Sequence, residues 1–157
     1  MSEAKTHNIM IKYFGFFTVA LFTLIGCKPK VKPIEYGHQA CEYCRMSIVD
    51  ERYAAQLQTS KGKTYSFDAL ECLINYKHEN EETAYQQELV TDYNTPKKLI
   101  TAEGAYIVRS KKLPSPMGAY LTAVPTKSEA EKLVEINGGQ IFTYPQVAEG
   151  LENLPEL

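Results

Sequence analysis

Hydrophobic and polar residues alternate along several short stretches of this chain, which is the pattern that β-strands produce. Residues 53–59 alternate in this way, the Ser-Lys-Gly-Lys segment at 60–63 is typical of a turn, and residues 64–67 return as a hairpin partner. Asp68 then stands where a helix cap is expected. The apolar residues of that helix fall on one side: Leu70, Leu73, Ile74 and Tyr76. Residues 88–92 are a third predicted strand, so the order is strand, strand, helix, strand.

The same order of patterns recurs in the C-terminal part of the chain. Residues 105–109 and 119–124 are predicted strands, joined by a loop that contains Met117 and Gly118. Either Ser128 or Thr126 can cap the helix that follows. Its apolar residues are Ala130, Leu133, Val134 and Ile136. The Gly-Gly pair at 138–139 ends this helix, and residues 140–144 are the last predicted strand.

These patterns predict an α+β protein built from two ββαβ modules, at approximately residues 38–95 and 96–157. Neither module alone could bury much apolar surface. We therefore expect the two to pack as a pseudo-repeat in one domain, residues 38–157, with residues 91–104 crossing between them.

The N-terminal segment has the three parts of a secretory signal. Lys5 and Lys12 lie in a polar start, an apolar run follows to residue 25, and Gly26 precedes Cys27. The run is shorter than the roughly 20 apolar residues that a membrane span needs. We predict a lipoprotein signal peptide at 1–26, lipidation of Cys27 and an extended, proline-containing tether at 27–37. The protein is then lipid-anchored in the cell envelope and faces the periplasm, or at least lies outside the cytoplasm.

Charge and composition narrow the classes of partner. Without residues 1–26 the chain has 15 basic and 18 acidic side chains, a charge of about −3 with histidine neutral. This charge argues against a nucleic acid partner. The apolar content is that of a globular domain and not of a disordered tail.

Candidate chemistry is concentrated between residues 41 and 46. Cys41, Cys44 and Met46 place two thiols and a thioether in one short segment before the first strand. Soft sulfur donors favour copper(I) over hard cations. Methionine needs no deprotonation and cannot enter a disulfide, which matters in an oxidising compartment. The same spacing is also compatible with a structural Cys41–Cys44 disulfide in which Met46 fills the core.

Met117 is a second candidate ligand, because a methionine between proline and glycine in a loop has little reason to be there for packing alone. If the two halves face each other, its thioether can approach Cys44 and Met46. It can equally cover a small apolar cluster. His38 and His78 could add an imidazole or remain solvated.

Cys72 lies in the first or second turn of the first predicted helix, where the simplest interpretation is a small buried hydrophobic residue. Two alternatives give a chemical role to Cys72 or to the Cys-x-x-Cys pair of Cys41 and Cys44. One is a zinc site of Cys41, Cys44, Cys72 and His78, and the other is disulfide exchange by Cys41 and Cys44. Neither alternative accounts for both methionines.

Six features along the chain resemble the NosL family, and they occur in the same order. They are the lipoprotein signal, Cys-Glu-Tyr-Cys-Arg-Met at 41–46, Tyr-Ala-Ala-Gln at 53–56, Phe-Asp-Ala-Leu-Glu-Cys-Leu at 67–73, Ser-Pro-Met-Gly at 115–118 and Gly-Gly-Gln-Ile at 138–141. The resemblance implies a pair of ββαβ units similar to a module of organomercurial lyase. It also implies an outward-facing lipoprotein that acts as a copper chaperone for nitrous oxide reductase in denitrification.

Carried onto this chain, the resemblance implies copper(I) bound by the Cys44 thiolate and by the Met46 and Met117 thioethers, with Cys41 as an alternative or exchange ligand. No catalytic step is implied. The expected function is maturation of a periplasmic copper enzyme, through transfer to nitrous oxide reductase or its assembly complex. The alternative is a lipoprotein adaptor stabilised by zinc or a disulfide, with no copper transfer. The sequence is also compatible with a homodimer in which two copies of the chain share one ion.

Arg45 departs from the family pattern, which usually has glycine between the cysteine and the methionine. Arginine does not easily take a positive φ, so we expect the loop to turn differently here. We also expect its charge to favour a thiolate at Cys44.

Overall fold

The computed structural model describes residues 31–157, and its strands form two antiparallel sheets. The first sheet has the strand order β2-β1-β3-β4. Its strands are β1 at Ala55–Thr59, β2 at Thr64–Phe67, β3 at Tyr85–Thr91 and β4 at Leu99–Thr101. The second sheet has the order β6-β5-β7, with β5 at Tyr106–Arg109, β6 at Leu121–Val124 and β7 at Gln140–Thr143.

A helix follows the first hairpin of each sheet. Helix α1 spans Leu70–Glu79 between β2 and β3, and helix α2 spans Lys127–Asn137 between β6 and β7. Each half therefore has the predicted ββαβ order, and its first strand lies at the centre of its three. The α+β prediction is confirmed. A short helix α3 at Tyr144–Ala148 directly follows β7, so Tyr144 begins this helix and does not end the strand predicted at 140–144.

The start of α1 corrects the prediction that Asp68 caps it. Ala69 is the capping residue, and no side chain accepts a bond there. Asp68 is instead buried, at 2% exposure. The prediction for α2 is right, because Thr126 accepts a hydrogen bond from the Glu129 N–H at 3.3 Å. Ile136, placed on the apolar side of α2, is 73% exposed and lies outside the core.

The segment predicted to cross between the halves contributes a strand of its own. Within residues 91–104, β4 pairs with the outer side of β3, with Thr91 opposite Leu99 and Leu89 opposite Thr101. Two hydrophobic clusters form the interior. The larger cluster contains buried side chains from both halves, including Ile48, Leu57, Phe67, Leu73, Ile107, Leu121 and Val147. The smaller one packs with α2 and contains Val108, Leu113, Val124 and Ala130.

The chain before residue 38 is partly integrated into this fold. Ile34 and Tyr36 pack against the larger cluster. Gln56 of β1 is buried, and its side-chain amide donates to the Lys32 carbonyl at 2.9 Å. The tether predicted at 27–37 therefore lies on the domain from residue 32 onward. The signal peptide and Cys27 lie outside the described residues, and within 31–157 there is no helix of the length and apolarity that a membrane crossing requires.

Candidate metal centre

The segment from Cys41 to Met46 forms a tight loop closed by backbone pairing. Ala40 and Ser47 form an isolated antiparallel bridge. Just inside it, the Cys41 N–H donates to the Met46 carbonyl at 2.8 Å, and the Arg45 N–H donates to the Cys41 carbonyl at 3.1 Å. Cys41 is consequently fully buried at the base of the loop, whereas Cys44 lies in the turn and is only partly buried.

Arg45 adopts the conformation that the sequence analysis considered difficult for it. Its φ is 65°, in the left-handed region, so the loop turns as a glycine would allow. Its guanidinium lies 3.7 Å from the Glu42 carboxylate. Burial raises the pKa of the Cys44 thiol. Both expectations about Arg45 are therefore wrong. Arg45 takes the positive φ that a glycine would take, and burial keeps the Cys44 thiol from favouring the thiolate form.

Replacing Arg45 with glycine should therefore stabilise the fold. We expect the free energy of unfolding to rise by about 0.5–1 kcal/mol, because the relief of left-handed strain exceeds the extra chain entropy of glycine when unfolded. The lost ion pair is exposed and contributes little. Urea unfolding of Arg45→Gly would measure the gain. Arg45→Ala is the control, since it removes the charge and keeps the Cβ; an equal gain from alanine would rule out backbone strain as the cause.

Helix α1 brings a third cysteine to this loop. Cys72 lies in the first turn of α1, and its sulfur and those of Cys41 and Cys44 all lie within 4.8 Å of one another. Cys41 and Cys72 are 0% and 1% exposed. All three are free thiols, so the structure has no disulfide between Cys41 and Cys44. The sulfur cluster, as we call Cys41, Cys44 and Cys72, is thus closed on the core side and opens outward through Cys44.

The hydrogen bond between Cys41 and Cys72 gives these two thiols different acidities. The Cys72 thiol and the backbone N–H groups of Asp68, Cys44 and Tyr43 point at the Cys41 sulfur, which lowers the pKa of Cys41 to about 5. The pKa of Cys72 is raised by its bond to Cys41 and by burial. Of these two thiols, Cys41 is therefore the one at which the thiolate, the form that binds a metal, is favoured.

The two candidate methionines lie near the surface. Met46 ends the Cys41–Met46 loop, and its side chain is 49% exposed. Met117 is 40% exposed, at the tip of the loop between β5 and β6. Gly118 follows it with a φ of 79°. Both thioethers are accessible to an incoming ion or partner.

Glu71, which the sequence analysis did not single out, connects α1 to the Met117 loop. Its Oε1 accepts hydrogen bonds from the Ser115 hydroxyl and, at 3.2 Å, from the Ala119 N–H. Ser115 in turn accepts from the Tyr120 N–H at 2.8 Å. Glu71 is 2% exposed although it is a carboxylate adjacent to Cys72. A charged residue beside the apolar positions of a helix is the signal that could have identified it.

The candidate histidines His38 and His78 do not join the sulfur cluster. His38 is exposed. His78 lies at the end of α1, six residues beyond Cys72, where its Nε2 is 2.9 Å from the Ala148 carbonyl oxygen. Within residues 31–157, one group of His, Cys, Asp and Glu side chains lies close enough together to hold a metal ion, and it consists of the three cysteines. The zinc site that included His78 is therefore not formed.

Comparison with known proteins places this geometry in a family. The chain is similar in fold to the crystal structure of the copper chaperone NosL from Shewanella denitrificans, with a TM-score of 0.66 and 21% sequence identity over 77% of this chain and 97% of that one. No curated protein sequence matches the chain. The family model of NosL matches residues 33–151, which include both sheets, the cysteine loop and the Met117 loop. This chain therefore belongs to the NosL family.

Proposed function

We propose that this protein is a copper(I) chaperone of the cell envelope, which holds one copper(I) ion and passes it to a partner protein. The observation that carries the proposal is the sulfur cluster: three free thiols within 4.8 Å of one another, with an accessible methionine two residues beyond Cys44. NosL is a copper chaperone family and not an enzyme family, so we assign no catalytic residue.

The ligand set follows from accessibility. Cys44 is the thiol that an incoming ion meets first, because Cys41 and Cys72 lie behind it in the core, and it binds the ion as a thiolate after losing its proton. Met46 and Met117 supply thioethers from the surface, and Cys41 is the exchange ligand during transfer. Two or three soft ligands near the surface bind copper(I) tightly but leave room for a ligand of the acceptor. Such an arrangement favours handover over permanent storage.

The expected setting is the outer face of a membrane, with lipidated Cys27 as the anchor. Support comes from the residues that follow: Ile34 and Tyr36 pack on the domain, so only a short segment would separate the anchored cysteine from the copper-binding domain. A tether of this length keeps the sulfur cluster close to membrane-associated partners. The client that we propose is nitrous oxide reductase or its assembly complex.

Copper(I) binding by the full-length chain in detergent tests this function. Anaerobic titration against a competing copper(I) chelator, with zinc in parallel, should give tight binding of one copper ion and a clear preference for copper. The Cys44→Ala variant should lose at least about tenfold in copper(I) affinity, equivalent to 1.4 kcal/mol.

His78→Ala is the matched control for this titration. It removes a potential zinc ligand but leaves every proposed copper ligand in place, so copper(I) affinity should not change. Zinc binding without a preference for copper, or zinc binding that is lost in His78→Ala, would instead support the structural adaptor.

A further inference from the structure

We propose that copper(I) has a second, inner position in this protein, bounded by the sulfur atoms of Cys41, Cys44 and Cys72, whose thiols release their protons to solvent as the ion binds. Cys44 is shared between this inner position and the outer set that contains Met46 and Met117. The inference rests on the proposed function, and it makes Cys72 a copper(I) ligand, whereas the sequence pattern suggested Cys72 as a ligand only in the alternative zinc site with His78.

The distances between the three sulfur atoms fit one soft ion. Metal–thiolate bonds are about 2.3 Å long, so three sulfurs around one ion in a plane lie about 4 Å apart. The sulfur atoms of the cluster already lie within 4.8 Å of one another. Side-chain adjustments of less than about 1 Å would bring all three into contact with the same ion.

The surroundings of the inner position select a soft ion. Cys41 and Cys72 belong to the larger hydrophobic cluster and are almost without solvent exposure. A hard cation would lack the oxygen ligands it requires, whereas copper(I) is satisfied by two or three sulfurs. The N–H groups of Asp68, Cys44 and Tyr43 that point at the Cys41 sulfur offset part of the negative charge of the thiolates.

The three cysteines also differ in how firmly the backbone holds them. Cys72 is fixed by α1, and Cys41 is fixed by its pairing with Met46 beside the Ala40–Ser47 bridge. Cys44 lies in the turn, which is partly exposed. An ion can therefore move outward by keeping its bond to Cys44 while it exchanges Cys41 and Cys72 for Met46 and Met117. The inner position would protect copper between deliveries, and the outer set would present it.

X-ray absorption at the copper edge can count the two kinds of ligand separately. In full-length protein labelled with selenomethionine, copper–sulfur contacts come from cysteine and copper–selenium contacts come from methionine. The Met46→Leu, Met117→Leu double variant removes the outer thioethers. We expect it to retain one copper(I) with three copper–sulfur contacts and no copper–selenium contact.

Adding Cys72→Ala to the double variant should reduce the copper–sulfur contacts from three to two and lower copper(I) affinity at least tenfold. If the alanine variant does not fold, Cys72→Ser replaces it. The double variant without a cysteine change is the reference, because all three cysteines of the sulfur cluster are present in it. The inner position is excluded if the double variant cannot hold copper although the unmodified protein can, or if loss of Cys72 leaves the sulfur count unchanged. Failure of the unmodified protein to bind copper would instead reject the proposed function.

Discussion

Replacing Gly139 with alanine is expected to destabilise this protein by about 3 kcal/mol or more. Gly139 has a φ of 102°, and a Cβ added there would lie 2.2 Å from the Arg109 carbonyl oxygen and 2.9 Å from the Ser110 Cβ. The obstructing oxygen belongs to the backbone at the end of β5, where Arg109 pairs with Gln140 of β7. The strands would have to separate at this point to admit a methyl group.

Gly138→Ala provides a matched control one residue away. Gly138 also has a positive φ, of 69°, but an added Cβ would find no atom within 4 Å. We expect it to cost only about 1 kcal/mol, from left-handed strain at the end of α2. Urea unfolding followed by far-ultraviolet circular dichroism would compare the two variants. Equal costs would mean that the close approach to Arg109 does not constrain residue 139.

Replacing Glu71 with alanine is expected to cost about 2–4 kcal/mol and to loosen the Met117 loop. The change removes the acceptor for the Ser115 hydroxyl and for the Ala119 N–H, and it leaves the space of a buried side chain unfilled. A buried donor without a partner is penalised more than an exposed one, since no water replaces the lost acceptor. Equilibrium unfolding measures the loss, and hydrogen exchange of the Ala119 and Tyr120 amides measures the loosening.

Two further variants separate the hydrogen bonds of Glu71 from its bulk. Glu71→Gln keeps the size and one acceptor oxygen, so it should cost less than half as much as the alanine variant. Ser115→Ala removes only the hydroxyl, and because Ser115 and Glu71 act together its effect should not add to that of Glu71→Ala. Full additivity, or equal costs for glutamine and alanine, would show that Glu71 does not hold this loop by hydrogen bonding.

Local signals predicted those elements whose cause lies within a few residues. Thr126 caps α2 because its side chain reaches the N–H of residue 129, and Gly138 ends that helix because it can take a positive φ. Asp68 carries the same kind of signal for α1, but its side chain is buried and does not cap the helix. Its position depends on packing beside the cysteine loop, which the surrounding sequence does not encode.

The strand alternations and the grouping of Cys41, Cys44 and Met46 are properties of neighbouring residues, so the two ββαβ units and the soft-donor segment could be predicted from the sequence alone. The placing of Cys72 beside Cys41 and Cys44 by α1, and the connection of the same helix to the Met117 loop through Glu71, became visible in the folded chain. Cys72 is 28 and 31 positions away from Cys44 and Cys41, and Glu71 is 44 and 48 positions away from Ser115 and Ala119. These contacts form because both halves bury their apolar faces in a shared core, and packing of that core sets distances that no local pattern contains.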